Sequence, residues 1–90
     1  MLSIELSPSQ LLRIARTHPD YRMHRLDDGL LGAVQICSVA VIVGWLRENV
    51  GTHWEQTVRT ITLNGLDAPE ISYEFHNDSD ALLFKMMFYG

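Results

Sequence analysis

The sequence is poor in cysteine. Its 90 residues include a single one, Cys37, which cannot form an internal disulfide or supply a multi-cysteine zinc or iron–sulfur centre. Small secreted domains generally depend on several disulfides, so we expect this protein to stay in a reducing cytoplasm. The N-terminus has no cationic stretch followed by an apolar core, and it therefore does not predict a secretory signal.

Motifs of catalysis and cofactor binding are also missing. Gly29 and Gly32 are followed neither by a third glycine nor by a lysine–serine pair, so they do not form a phosphate-binding loop. No two histidines are four residues apart, the spacing that places two zinc ligands on one helix face. Cys37 lies in an apolar run, which favours a small core residue over a nucleophile. We therefore predict a protein that is not an enzyme and has no catalytic residue, no cofactor and no metal ion.

Positive charge is scarce and unevenly distributed in a chain whose formal net charge is −4. Four arginines occur before Leu26, namely Arg13, Arg16, Arg22 and Arg25. Four arginines in an acidic protein are a weak electrostatic footprint, so we do not expect a nucleic-acid partner. The segment from Asp67 to Asp80 contains five acidic residues and no basic one. Clustered carboxylates of this kind match a basic protein surface.

The longest apolar stretch runs from Leu30 to Leu46 and contains no charged residue. It is at the short limit for a membrane-spanning helix, and glycines divide it. Acidic residues precede it, and Arg47 and Glu48 follow it. We therefore predict a buried element of a soluble domain and no membrane partner.

Local signals predict the elements in the first half of the chain. The run Ser7-Pro8-Ser9-Gln10 has the pattern of a capping box with proline at the first helical position, and Pro19 ends the helix that it begins. The turn residues Asp27-Asp28-Gly29 predict a hairpin between strands at 21–26 and 30–37. A buried helix is predicted over 38–50 because this segment is longer than a usual strand.

The second half contains a clearer hairpin. Strands are predicted at 57–63 and 71–76, with Asn64-Gly65 and Ala68-Pro69 bracketing the turn between them and with Ile71, Tyr73 and Phe75 on one buried face. Asn77 or Asp78 then caps a short helix whose inward residues are Ala81, Leu82 and Phe84, and 86–89 is predicted to end as a strand. The expected fold is a single α+β domain over residues 1–90, in which an antiparallel or mixed sheet of about five strands has two or three helices packed on one face.

With no catalytic set, a protein-binding surface is the expected functional site. Tryptophan is enriched among interface anchors, and Trp54 stands at the entry to a predicted strand. Together with the acidic residues, this gives a predicted interaction set of Trp54, Asp67, Glu70, Glu74, Asp78 and Asp80. The arginine-containing region 13–25 is the second candidate surface.

The C-terminal part also resembles small proteins of tailed bacteriophages. The matching residues are an aromatic strand, an acidic turn and an Ala-x-x-Phe-Lys helix entry over 73–86, preceded by the segment 45–51 and by Trp54. The resemblance implies a phage accessory protein that binds and modulates a host protein or protein complex, such as an inhibitor of a host defence or transcription machine, in the host bacterial cytoplasm. A small virion or assembly component that self-associates is the alternative, and a homodimer is kept open in both cases.

Overall fold

The structure is a computed structural model that describes residues 2–51 and 53–89. As the sequence predicts, the chain combines helices with an antiparallel sheet. The elements in chain order are β1 (Leu2–Leu6), α1 (Pro8–Ala15), α2 (Tyr21–Asn49), β2 (Trp54–Leu63), β3 (Leu66–Phe75) and α3 (Asp78–Phe88). The three described strands, rather than about five, are arranged in the order β1-β3-β2.

The predicted hairpin is confirmed as β2 and β3, but its turn is shorter than predicted, since Ala68 and Pro69 belong to β3. Asn64 and Gly65 have φ angles of 51° and 81°, and Leu63 pairs directly with Leu66 across this two-residue loop. Positive φ at both loop residues is the type I′ geometry that matches the twist of a hairpin. Both strands begin earlier than predicted, at Trp54 and Leu66, because the register continues without interruption from Leu63 opposite Leu66 to Trp54 opposite Phe75.

The core lies against one face of the central strand, β3. Ile71, Tyr73 and Phe75 alternate along it and are fully buried, as their period of two predicted. The ring of Phe84 in α3 lies 5.1 Å from the rings of both Tyr73 and Phe75, measured between centroids. Ile4 and Leu6 of β1 are opposite Tyr73 and Ile71 and extend the same buried face.

The first helix begins at the predicted capping box. The Ser7 backbone N–H donates to Gln10 Oε1 at 2.8 Å, and Ser7 Oγ accepts from the Gln10 backbone N–H at 3.4 Å. These bonds satisfy backbone donors that the first helical turn leaves unpaired. The helix ends at Ala15, four residues before Pro19.

The hairpin predicted over 21–37 is wrong, because this segment belongs to α2. The turn signal nevertheless acts on the backbone, since Gly29 has φ 76° and ψ −179° and breaks the helix into two arms. A Cβ atom at Gly32 would lie 2.8 Å from Asp28 Cβ, so the kink also needs a glycine one turn later. The apolar run after the kink is helical through Asn49, which covers the helix predicted over 38–50 except for its last residue, Val50.

The last helix begins as predicted but continues further. The Ser79 backbone N–H donates to Asn77 Oδ1 at 2.8 Å, which caps α3, and Ala81 and Phe84 are buried. Leu82 was predicted to face inward and is instead 60% exposed. The strand predicted over 86–89 is also wrong, since Phe88 is helical and packs 5.5 Å from the Trp45 ring.

Helix α2 is long and apolar enough to span a membrane by length and composition. Core helices of soluble proteins satisfy the same criterion. In the structure 33% of the most apolar 18-residue stretch of α2 is buried, including Val34, Ile42 and Leu46. The predicted absence of a membrane partner therefore stays a prediction.

Candidate interaction surface

Trp54 lies at the margin of the core. It is half-buried, its indole N–H donates to the Gly51 carbonyl at 2.8 Å, and its ring lies 6.1 Å from the Tyr73 ring. Because Trp54 pairs directly with Phe75, its side chain is on the same face of the sheet as the buried residues. Its polar group and much of its ring are thus used within the chain.

The predicted acidic residues do not form one surface. Glu70 and Glu74 alternate with the buried residues of β3 and lie on the opposite face, whereas Asp67 shares the parity of Ile71. Asp78 and Asp80 lie in the first turn of α3, beyond the other end of the strand. About 24 Å of extended strand separates Asp67 from Glu74. The structure therefore does not bring these residues together with Trp54 into one patch, and their part in binding stays a prediction.

Glu70 and Glu74 instead lie among residues that the sequence prediction missed. Glu55 is directly opposite Glu74, Arg59 is directly opposite Glu70, and Glu5 of β1 lies on the same face. We call this surface the acidic sheet face, defined by Glu5, Glu55, Arg59, Glu70 and Glu74. It contains four carboxylates and one guanidinium, so it keeps a net negative charge.

Arg59 links the three strands at the centre of the acidic sheet face. Its Nη2 donates to Glu5 Oε1 at 2.5 Å and also to Glu70 Oε1. The side chains of Arg59 and Glu5 are more than half exposed, and that of Glu70 is 20% exposed. Exposed ion pairs contribute little to stability, so the main effect of this cluster is to fix Arg59 across the face.

Glu55 and Glu74 form the least compensated part of the acidic sheet face. The two carboxylates occupy directly opposite positions on β2 and β3. Among the described residues neither has a basic group within salt-bridge distance. Like charges placed opposite each other destabilise a sheet. A cation that approaches Glu55 and Glu74 would therefore reduce the repulsion between their carboxylates.

The alternative arginine region is partly used inside the chain. Arg13 Nη2 donates to the Phe88 carbonyl at 3.1 Å, which ties α1 to the end of α3. Arg16, Arg22 and Arg25 are exposed. The structure therefore leaves three of the four arginines available to a partner.

Cys37 and His24 lie in surroundings that favour a structural role over a catalytic one. Cys37 is fully buried in α2, and burial raises the pKa of its thiol, with the negative charges of Asp20 and Asp28 adding to the effect. His24 Nδ1 lies 3.1 Å from Asp28 Oδ2, one turn along the helix. Within residues 2–51 and 53–89, no group of three or more histidine, cysteine, aspartate or glutamate residues could hold a metal ion.

A groove that the sequence did not predict has an apolar lining. It has a volume of about 510 Å³ and lies between the start of α1, the part of α2 after the kink, and the turn of the β2–β3 hairpin. Asp67 is at this groove together with Leu66, which is 73% exposed. The lining residues come from three separate segments, so the sequence alone gives no local signal for the groove.

Comparison with protein-family models, curated proteins and solved structures found no match to this chain.

Proposed function

We propose that this protein is a non-catalytic phage accessory protein that binds a host protein through the acidic sheet face. The observation that favours this surface is the concentration of Glu5, Glu55, Glu70 and Glu74 around a single arginine. In this proposal the helices pack only on the opposite face of the sheet, which would leave the acidic sheet face open to a partner. Contacts of Phe84 with Tyr73 and Phe75 support that arrangement.

The partner that fits this surface is a host protein with a cluster of lysine or arginine side chains. A basic group that approaches Glu55 and Glu74 would relieve the repulsion between their carboxylates. Complementary charge of this kind raises association rates and favours one orientation of the partners. The resemblance to bacteriophage proteins supports a host machine, such as a defence or transcription complex, as the target, and the bacterial cytoplasm as the compartment.

Charge-neutralising variants test this proposal. The wild-type protein would be used to capture its partner from a bacterial lysate, and the purified pair would then be studied by surface plasmon resonance at several salt concentrations. The variant Glu70→Gln/Glu74→Gln should associate roughly tenfold more slowly at low salt and show a weaker dependence on salt. The variant Asp27→Asn/Asp28→Asn changes the net charge equally but at the exposed α2 kink, and it serves as the matched control.

Circular dichroism would first establish that both variants fold. If Glu70→Gln/Glu74→Gln binds with wild-type kinetics at every salt concentration, the acidic sheet face is not the site. A loss of binding in the α2 control alone would move the interface to the kinked helix. A virion or assembly component is the second candidate function, and it is favoured by the outer edge of β2, which pairs with no strand other than β3 in the described part of the chain.

A further inference from the structure

The outer edge of β2 is open. Within the described residues β2 pairs with β3 and with no other strand. Its side chains from Glu55 to Thr60 are exposed on both faces, although the opposing residues Ile71 and Tyr73 of β3 are buried, so the core does not continue beneath this part of β2. A ten-residue edge strand without proline is a template for pairing with another strand.

The hairpin geometry identifies which backbone groups face this open edge. The His76 N–H donates to the His53 carbonyl at 3.4 Å, and the two-residue turn makes Leu63 and Leu66 a hydrogen-bonded pair. Both observations show that the backbone N–H and C=O groups of the odd-numbered residues of β2 point towards β3. The even-numbered residues therefore present their N–H and C=O groups outward, and these are Trp54, Gln56, Val58, Thr60 and Thr62.

The usual protection of an edge strand is weak here. Natural edges are blocked by proline, by bulges or by lysine side chains that project from the edge. Arg59 is the only basic residue of β2, and it is held across the acidic sheet face by Glu5 and Glu70. The edge itself is therefore open to a second strand.

The charges on β2 match a second copy of the same strand. When two copies pair antiparallel about a two-fold axis at Thr57, Glu55 of each copy is opposite Arg59 of the other. Moving the axis to Arg59 would place two arginines opposite each other, and moving it to Val58 would place both charges opposite uncharged residues. Only the axis at Thr57 therefore pairs both charges.

The geometry of that register suits the ion pairs. Odd-numbered residues form the non-hydrogen-bonded pairs between the two copies of β2, in which Cα atoms are about 4.5 Å apart and side chains are closest. Arg59 makes both of its described contacts through Nη2, so Nη1 and Nε are directed at neither glutamate. Glu55, which lies opposite another glutamate in its own chain, would gain a cation.

We propose that a second copy of this chain docks on the edge of β2, so that two three-stranded sheets join into one of six strands. The pairing from Trp54 to Thr60 would supply about eight backbone hydrogen bonds between the copies. The dimer does not depend on binding of a host protein, and it requires Glu55 and Arg59 rather than Glu70 and Glu74.

Sedimentation velocity over a range of concentrations tests the dimer. We expect the wild type to dimerise and Glu55→Lys to raise the dissociation constant about tenfold or more, because two favourable pairs become two repulsive ones. The substitution should not unfold the chain, since it places a cation opposite Glu74. Glu48→Lys makes the same charge change on exposed α2 and should leave the dissociation constant unchanged.

Val58→Pro gives a second, backbone-based test. The Val58 N–H points to the open edge, so proline removes no hydrogen bond to β3 but obstructs an incoming strand. We expect this variant to be monomeric. A wild-type protein that stays monomeric at about 1 mM, or a dimer that neither Glu55→Lys nor Val58→Pro weakens, would overturn the proposal.

Cross-linking tests the register directly. In a Cys37→Ala background, Thr57→Cys should form an intermolecular disulfide under mild oxidation, because the two-fold axis brings the two positions to about 4.5 Å between Cα atoms. Ile61→Cys lies on the same face of β2 but away from the axis, and it should not cross-link. Equal cross-linking of both variants would exclude this register.

Discussion

Truncation of Tyr73 is the sharpest test of the core. Its side chain is fully buried, and its ring lies 5.1 Å from that of Phe84 and 6.1 Å from that of Trp54. Its hydroxyl donates to Gln56 Oε1 at 2.6 Å, and burial raises the pKa of this phenol. Tyr73→Ala would therefore remove contacts to α3 and β2 together.

The expected magnitude is large for a chain of this length. Loss of a buried aromatic ring costs about 3 to 5 kcal/mol, and a 90-residue protein has a free energy of unfolding of about 5 to 13 kcal/mol. Tyr73→Phe removes only the hydroxyl and should cost about 1 kcal/mol, because the exposed Gln56 amide can bond to water instead. The ring should thus contribute several times more than its hydrogen bond.

Urea denaturation followed by circular dichroism and tryptophan fluorescence would measure these differences. Tyr89→Ala is the matched control, since Tyr89 donates to the Glu5 carbonyl at 2.7 Å but its side chain is 40% exposed. We expect it to cost about 1 kcal/mol. An unchanged urea midpoint for Tyr73→Ala would refute the burial of β3. A Tyr73→Phe cost equal to that of Tyr73→Ala would show that the hydroxyl, not the ring, dominates.

Two further predictions concern Cys37 and solubility. Burial raises the folded-state pKa of the Cys37 thiol above the unfolded-state pKa of about 8.5. The contribution of this thiol to the free energy of unfolding is therefore fully present below the unfolded-state pKa. It is lost as the pH rises above that value, by at most about 1.36 kcal/mol per pH unit. The stability difference between wild type and Cys37→Ala in urea titrations should therefore narrow from pH 8 to pH 10, and a constant difference would contradict this. Fractionation after expression should recover the chain without detergent, since α2 buries Ile42 and Leu46 in the core; recovery mainly with membranes would show that α2 inserts into lipid instead.

The sequence signals that predicted structure correctly act over a few residues. The capping residues of α1 and α3 bond to backbone groups two or three positions away, and Asn64-Gly65 determines the register of the whole β2–β3 hairpin. The turn signal Asp27-Asp28-Gly29 also corresponds to a break in the backbone, but it is compatible with two different structures. A glycine with positive φ reverses a hairpin or kinks a helix, and the apolar residues on either side have no periodicity that distinguishes the two.

The predicted interaction set groups residues that the structure separates, because nearness in sequence is not nearness in space. Alternation along β3 places Asp67 and Glu70 on opposite faces, although only three positions separate them. The hairpin register alone would have paired Glu55 with Glu74 and Arg59 with Glu70. The position of Glu5 depends on the pairing of β1 with β3, between residues more than 60 positions apart, for which the sequence offers no local signal.

The two proposals predict opposite responses to salt. The formal net charge of each copy is −4, so two copies repel each other within a Debye length that falls from about 30 Å at 10 mM salt to about 8 Å at 150 mM. The Glu55–Arg59 contacts between copies are much shorter than that length, and moderate salt therefore screens the long-range repulsion more than the contacts. Raising the salt concentration from about 10 to 150 mM should strengthen the dimer but slow the association of the acidic sheet face with a basic host protein. If the affinity of the dimer and the association rate with the host protein both fall over this range of salt, at least one of the two surfaces has been assigned wrongly.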